Sequence, residues 1–471
     1  MGYSQDGYLS SSLYCGGNVN LDRAMTDFID ARKTFEYWFS APVLKRVFQD
    51  EVSWKPTVGI DKTTVDSFRN NLDENIEVIS RKALLGTYCF TNYAQRLIAK
   101  GPNDPPRKIC IPTIRDKVTL KAISHILDDL YGHSCVTGQP QAIIDSIANE
   151  IHSDKFDSFV KFDISRFYSS IDHGIMTSMI EKRTDEGRFI QLVVSAITTP
   201  AVMFGRKSND VSLIGLPEGL SISNRLANVY LSELDDYFRE KSSISYFRYV
   251  DDILILCGAQ DVNEVKKEMQ SLMAALRLNL NGEKTKSGSL RSDLFDYLGY
   301  RFSCERLQVC PKAQRNIENA IEFNLRNYDK EGVDRWVRRF NLRITGCRVT
   351  EDGGSFHRYG WLYYYSRAND VAYLGKLDYL IEKIAKRRGI KLPASIKSFR
   401  KAFYEMRYRE NSTSYIPTFD KRATAEWKKE MLDRYFGVWT ADKTDEEIEA
   451  LFTRLLRREL SYLERDIGTV S

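Results

Sequence analysis

The chain has 471 residues, 42% of them hydrophobic and 28% charged, with a formal net charge of +5. That is two to four domains' worth of an ordinary soluble protein, and its mild basicity permits a polyanionic partner without requiring one. No stretch approaches the roughly 20 apolar residues that cross a bilayer, the start lacks a basic-then-apolar leader, and eight scattered cysteines show no C-x-x-C spacing, so the expectation is a cytoplasmic protein with reduced thiols and no membrane contact.

In chain order, residues 1–55 read as an irregular start and a helical segment over 21–49 that carries Phe35, Tyr37, Trp38 and Phe39. Residues 56–61 form a turn, with Thr63 or Thr64 placed to cap the next helix. Arg107-Lys108-Ile109-Cys110-Ile111-Pro112 mixes basic and apolar side chains on a strand, ahead of a helix at 118–130. Basic groups on one strand face suit a triphosphate, and a solvated edge strand gives the same pattern. Residues 159–168 form a strand whose alternation puts Lys161, Asp163 and Ser165 on one face and Phe162 and Ile164 on the other. His173 reads as a cap-region or surface histidine, because no second His or Cys sits nearby at metal spacing. Leu216-Pro217-Glu218-Gly219 is a loop entering a long helix that runs to about residue 238, and Gly219 lets another group approach the backbone closely.

Residues 245–257, Ser-Tyr-Phe-Arg-Tyr-Val-Asp-Asp-Ile-Leu-Ile-Leu-Cys, read as two buried strands with Asp251 and Asp252 at the turn between them. Adjacent buried carboxylates are costly unless paired or bound to a metal. No lysine falls in the run and Arg248 is its one cation, so the demand is for a divalent ion, and hard oxygen ligands suit Mg²⁺ or Mn²⁺. A solvated Asp-Asp hairpin is the plain alternative. After a helix at 262–276, residues 295–302 form a strand pair.

Beyond Pro311 the pattern turns almost entirely helical and basic charge gathers. One cluster holds Arg335, Arg338, Arg339, Arg343 and Arg348; a second runs from Lys383 through Lys386, Arg387 and Arg388 to Arg409. Trp361, Tyr363, Tyr364 and Tyr365 lie between them, and basic residues interleaved with aromatics suit a nucleic-acid backbone with stacked bases. Residues 445–466 form an amphipathic helix with Ile448, Leu451, Phe452, Leu455 and Leu456 on one face, placed to pack on its own domain.

One aspartate on a strand, two on a hairpin, and basic groups for phosphates make up the equipment of two-metal phosphoryl transfer. In order and content these blocks resemble reverse transcriptases: Tyr-Val-Asp-Asp at 249–252, Phe-Asp-Ile-Ser-Arg-Phe-Tyr at 162–168, Leu-Pro-Glu-Gly at 216–219, Arg-Lys-Ile-Cys-Ile-Pro at 107–112, Lys284, and Tyr-Leu-Gly-Tyr at 297–300. The resemblance implies an α+β right-hand polymerase: an N-terminal helical extension (1–55), fingers and palm (56–310), a helical thumb (311–410) and a C-terminal helical extension (411–471). It implies that Asp163, Asp251 and Asp252, with the Ile164 carbonyl, hold the metals. Arg107 would contact the triphosphate, Tyr168 with Phe167 beside it would exclude a ribose 2′-hydroxyl, Gly219 would pack against the incoming dNTP, and Lys284 would lie near the departing phosphates. Glu218 departs from the glutamine common in the family, and a carboxylate there is repulsive to phosphate unless paired. Arg338, Arg339, Arg343, Lys386, Arg387 and Arg388 are the thumb candidates for nucleic acid.

Within that family the chain is similar to bacterial retron, group II intron and defence-associated enzymes. Residues 343–346, 359–365 and 415–420 look most like the defence-associated, abortive-infection lineage. The implied partners are a structured noncoding RNA as template, dNTPs and a DNA product; self-association is left open. The alternatives are a retron or intron-type enzyme, or an RNA-binding maturase-like scaffold.

Overall fold

A computed structural model describes residues 30–54, 57–98, 106–135, 138–328, 330, 332–350, 356–410 and 412–467; the part of the expected first helix before residue 30 lies outside them. The strands, in chain order, are β1 (Tyr93–Ile98), β2 (Arg107–Ile111), β3 (Ser158–Asp163), β4 (Ala201–Val202), β5 (Ser245–Tyr249), β6 (Asp252–Cys257), β7 (Lys286–Ser289), β8 (Phe295–Tyr297), β9 (Tyr300–Phe302), β10 (Leu307–Val309), β11 (Cys347–Thr350), β12 (Phe356–Tyr359) and β13 (Thr418–Asp420). The chain divides into two compact units, one from residues 1–135 and 173–229, the other from 136–172 and 230–471.

In the first unit β1 pairs antiparallel with β2 and parallel with β4. The helix Ile114–Tyr131 buries Val118, Ile123, Ile126 and Leu127. It begins four residues before the expected start at 118, because Pro112 ends the strand and the Thr113 hydroxyl accepts from the Asp116 amide at 3.2 Å. The buried Asp116 carboxylate in turn accepts from Thr113 Oγ1 at 2.7 Å and Tyr88 OH at 2.8 Å. The single helix expected up to residue 49 is two, Ala31–Trp38 and Ala41–Val47. Pro42 falls in the first turn of the second, where its missing N–H costs nothing, and it could not have continued the first. Thr64 caps the next helix, accepting from Ser67 N at 3.1 Å. His173 is not a surface residue: it is buried, with Nε2 2.7 Å from the Gly215 carbonyl oxygen.

The second unit is built on an antiparallel sheet in the order β5-β6-β3-β7. β6 is central and buried along its whole length, which is why its sequence is a continuous apolar run after the first residue. The helix expected to end near residue 238 is interrupted at Leu231 (φ −100°, ψ 3°), giving Ser223–Tyr230, all but its last residue counted in the first unit, and Ser232–Arg239 in the second. β8 and β9 form a tight hairpin whose turn residues, Leu298 and Gly299, both have positive φ (48° and 79°).

Beyond Pro311 the chain is not wholly helical, because β11 pairs antiparallel with β12 and parallel with β13. Cys-Arg-Val-Thr at 347–350 is buried throughout, as its β-branched residues allow. Two glycines fix this corner. Gly346 (φ 66°, ψ −165°) ends the helix Val333–Thr345, and Gly360 (φ 116°, ψ 161°) opens the helix Trp361–Tyr364. Both conformations are essentially glycine-only. The two are in contact: a Cβ on Gly360 would lie 2.8 Å from Gly346 Cα, and one on Gly346 would lie 2.3 Å from the Tyr359 carbonyl oxygen. Around them Trp361, Tyr363, Tyr364 and Tyr365 are 1%, 6%, 7% and 3% exposed. These aromatics, expected as stacking partners for bases, are core. The helix Asp445–Ile467 buries Ile448, Phe452, Leu455 and Leu456 as its pattern predicts. Gly346→Ala combines a forbidden φ with a backbone clash and should destabilise the second unit by about 3 kcal/mol. Urea denaturation checks this; an unchanged midpoint would refute the account of the corner.

Candidate active site

In the second unit β3 and β6 run antiparallel with Asp163 directly opposite Asp252. The Ile164 amide donates to the Asp251 carbonyl at 3.4 Å, and Ile164 bridges to Leu280. The register of one strand pair therefore brings all three aspartates to one end of the sheet. Their backbone is tied down from several sides. Asn281 N donates to the Asp163 carbonyl at 2.8 Å, Ser165 N donates to the Asn279 carbonyl at 2.8 Å, and Tyr297 OH donates to the Asp252 carbonyl at 3.1 Å.

The turn between β5 and β6 is strained. Val250 has φ 57°, a left-handed conformation that a β-branched residue rarely adopts. Arg248 holds it, donating from Nη1 to the Val250 carbonyl at 3.0 Å. Arg248 is itself gripped in a bidentate pair by Asp235, Nε to Oδ1 at 2.6 Å and Nη2 to Oδ2 at 2.5 Å, and Tyr246 OH donates to the same carboxylate at 2.7 Å. The one cation within the hairpin sequence thus serves Asp235 and the turn.

Two lysines from outside the hairpin contact the aspartates. Lys284 Nζ lies 3.0 and 3.2 Å from the two Asp163 carboxylate oxygens, and Lys161 Nζ lies 3.4 Å from Asp252 Oδ1. Burial, the Asp252 charge and, less, the Asp163 charge push the Asp251 carboxyl up to about 6. Burial also raises Asp252, with Lys161 pulling the other way. Among the described residues no three His, Cys, Asp or Glu side chains close into a ready cage for an ion. The donor set nevertheless fits a hard divalent cation: three carboxylates share one strand end, and their mutual repulsion is relieved by added positive charge.

The first unit assembles a different group. Arg107, on β2, pairs with Glu218 (Nε to Oε2, 3.0 Å), while Cys110 N donates to the Glu218 carbonyl at 2.7 Å. Gly219 has φ 101°, and a Cβ there would lie 2.8 Å from Ile109 Cγ2 and 3.0 Å from the Cys110 carbonyl oxygen. The close approach foreseen at Gly219 is thus made by β2 itself, and the unusual Glu218 has a partner. In the second unit Phe167 is buried and Tyr168 half-buried, their ring centroids 5.6 Å apart, after Arg166 in a left-handed conformation (φ 49°).

The thumb candidates separate. Arg339 pairs with Glu459 at 3.2 Å and Arg343 with Asp466, both acids lying on the helix Asp445–Ile467, so these two arginines dock that helix. Arg338 is half-buried beside them, whereas Lys386, Arg387 and Arg388 are exposed. Sequence reasoning missed Asp235 and the contact of Lys161 with Asp252. Lys161 was signalled by its place two residues before Asp163 on one strand face; Asp235 carried no signal, being one acid among several on a helix.

Residues 98–302 match the family model described as reverse transcriptase (RNA-dependent DNA polymerase). The chain is 22% identical over 298 residues to protein YkfC of Escherichia coli (strain K12), covering 53% of this chain and 77% of that protein. It is 26% identical over 233 residues to the group II intron-encoded protein LtrA of Lactococcus lactis subsp. cremoris, covering 46% of this chain and 36% of LtrA. Among solved structures, apo telomerase from Candida tropicalis matches at 12% identity, TM-score 0.40, over 81% of this chain and 68% of that one. The α+β class expected from the sequence is observed. Replacing Asp235 by Asn should cost about 3 kcal/mol, since it leaves a buried guanidinium without its counter-charge. Thermal or urea unfolding of Asp235→Asn checks this; wild-type stability would refute the role given to the pair.

Proposed function

We propose, from the premise that residues 98–302 are a reverse transcriptase domain, that the protein copies a structured noncoding RNA into DNA and does so in defence against phage. The observation that carries the polymerase reading is the β3–β6 register, which sets Asp163 opposite Asp252 with Asp251 adjoining. In this reading Asp163, Asp251 and Asp252, with the Ile164 carbonyl, hold Mg²⁺ or Mn²⁺. Such ions, when bound, activate a 3′-hydroxyl and offset charge on a leaving pyrophosphate. The chain's own groups do the positioning. The strained Val250 turn fixes where Asp251 and Asp252 stand, and the Asn279–Asn281 segment fixes Asp163. Lys284 and Lys161 balance charge that the carboxylates would otherwise carry alone, and Lys284, on an exposed side chain, is free to exchange Asp163 for phosphate oxygens. Arg107 takes the triphosphate by exchanging Glu218 for it, and Tyr168 bars the ribose 2′-hydroxyl.

The defence role is supported by the similarity of residues 343–346, 359–365 and 415–420 to that lineage. β11 joins the three blocks into one sheet corner. The relation to LtrA favours an intron-type enzyme as the second reading. The tests use protein purified with its copurifying RNA, supplied with Mg²⁺ and labelled dNTPs. Wild type should make DNA that RNase pretreatment abolishes, and the double substitution Asp251→Asn, Asp252→Asn should lower synthesis by about a thousandfold or more. Equal synthesis by the double variant would sink the assignment of the carboxylates. Sequencing the product separates an intron from a dedicated noncoding RNA. In cells, phage plating that is the same with wild type and the double variant would remove the defence role.

A further inference from the structure

The helix Phe399–Tyr408 has a sharply divided surface. Phe399, Ala402, Phe403 and Met406 are buried, and the one acid, Glu405, is buried with them at 8% exposure. The opposite face consists of Arg400, Lys401, Tyr404, Arg407 and Tyr408, all exposed, with the exposed Arg409 next. Their spacing of i, i+1, i+4, i+7 and i+8 makes one continuous stripe along the helix. Tyr404 and Tyr408 are 49% and 66% exposed, and their ring centroids stand 5.1 Å apart at 46°.

Two large rings left in water side by side are unusual on a helix whose other face already fills the core, and here every other residue of the stripe is cationic. The cations are held loosely. Arg400 reaches Asp378 at 3.4 Å while remaining 64% exposed, and Arg409 reaches Glu405 at 3.9 Å with its guanidinium 5.7 Å from the Tyr404 ring centre. The Lys401 ammonium lies over the Tyr415 ring at 4.8 Å, and the Arg407 guanidinium over Phe403 at 5.8 Å. Aromatic faces for bases, set among cations for phosphates and with no exposed acid between them, form the chemical complement of an unpaired polynucleotide strand.

We infer that the exposed stripe of the helix Phe399–Tyr408 is a binding track for single-stranded nucleic acid, with Tyr404 and Tyr408 stacking on successive bases and Arg400, Lys401 and Arg407 following the backbone. This extends the polymerase reading, on which it rests only for what the strand is: unpaired template RNA or released DNA. A double helix hides its base faces, so the tyrosines discriminate single strands from duplex, whereas the cations alone would not.

The test measures fluorescence anisotropy of labelled strands of about 20 nucleotides, one RNA, one DNA and one duplex, with full-length protein in EDTA so that no synthesis enters the readout. Tyr404→Ala with Tyr408→Ala should weaken single-strand binding by about tenfold to a hundredfold and leave duplex binding within about twofold, two stacking contacts being lost. Tyr404→Phe with Tyr408→Phe, which keeps both rings, should bind as wild type. Loss on RNA alone assigns the track to template, loss on DNA alone to product, and loss on both to either strand. Unchanged single-strand affinity, equal loss on duplex, or equal loss in the Phe variant would overturn the proposal. So would a change in sedimentation without a change in affinity, which would give the face to a second copy of the chain. If wild type makes no DNA yet binds single strands through these tyrosines, the polymerase reading fails and the track stands.

Discussion

Arg248 and Asp235 are side chains with 6% and 3% of their surface in water, and they meet through two parallel hydrogen bonds. Such a pair is not, by itself, a source of stability, because removing both charges from water costs about what their attraction returns. Its value lies in geometry. The pair joins β5 to the helix Ser232–Arg239, and the same guanidinium donates to the carbonyl of Val250, a residue held where its branched side chain disfavours the backbone. A left-handed valine costs about 1–3 kcal/mol and persists only where its surroundings over-determine it. Here they do: Arg248 fixes the turn, the turn starts β6 at Asp252, and β6 pairs with β3 so that Asp252 faces Asp163. Each carboxylate position depends on the one before it.

The same chain of constraint concentrates negative charge. Burial raises both Asp251 and Asp252, with the Asp252 and Asp163 charges adding to the rise at Asp251 and the Asp163 charge at Asp252, so the carboxylates are held in a state that pairing with cations would relieve. The two lysines that already provide some relief differ in kind. Lys161 has 20% of its side chain exposed and also donates to the Asp296 carbonyl at 3.0 Å, so it is anchored. Lys284 is 65% exposed, and an ion pair that open to solvent is worth little. The first is suited to remain on Asp252 while other groups come and go. The second is suited to be an exchangeable partner of Asp163.

The aspartates, the helix–strand alternation and the terminal amphipathic helix were legible because each rests on local periodicity or on an unusual residue in an apolar run. Asp163 and the Asp251-Asp252 pair interrupt strands, and a strand tolerates a buried carboxylate only for a reason. The strands β11–β13 were not legible: each is three or four residues long, and they belong to a sheet whose members lie up to about 70 residues apart in sequence. Arg339 and Arg343 had the composition of a nucleic-acid face, yet their partners Glu459 and Asp466 come from a helix 120 and 123 residues further on. Charge counted along the chain cannot distinguish an arginine that meets phosphate from one that meets a distant carboxylate. Glu218 shows the converse. Its sequence context shows a carboxylate that repels phosphate unless paired but not what pairs it; the partner is Arg107, more than 100 residues earlier in the chain.

Aromatic residues test this distinction most directly. Trp361-Leu362-Tyr363-Tyr364-Tyr365 and the pair Tyr404 and Tyr408 lie among basic residues in the same stretch of chain, and composition gives them the same role. Periodicity separates them. A run of five consecutive large apolar or aromatic residues has no polar face to offer solvent, and the Gly346–Gly360 corner folds it inward until every member is buried. Tyr404 and Tyr408 are four residues apart and share a helical face with Arg400, Lys401 and Arg407, while Phe399, Phe403 and Met406 occupy the other. A helix with one well-filled apolar face needs no further aromatic area for its own packing. Rings on the opposite face therefore contribute little to folding, and exposing them carries a cost in solubility that a binding role offsets.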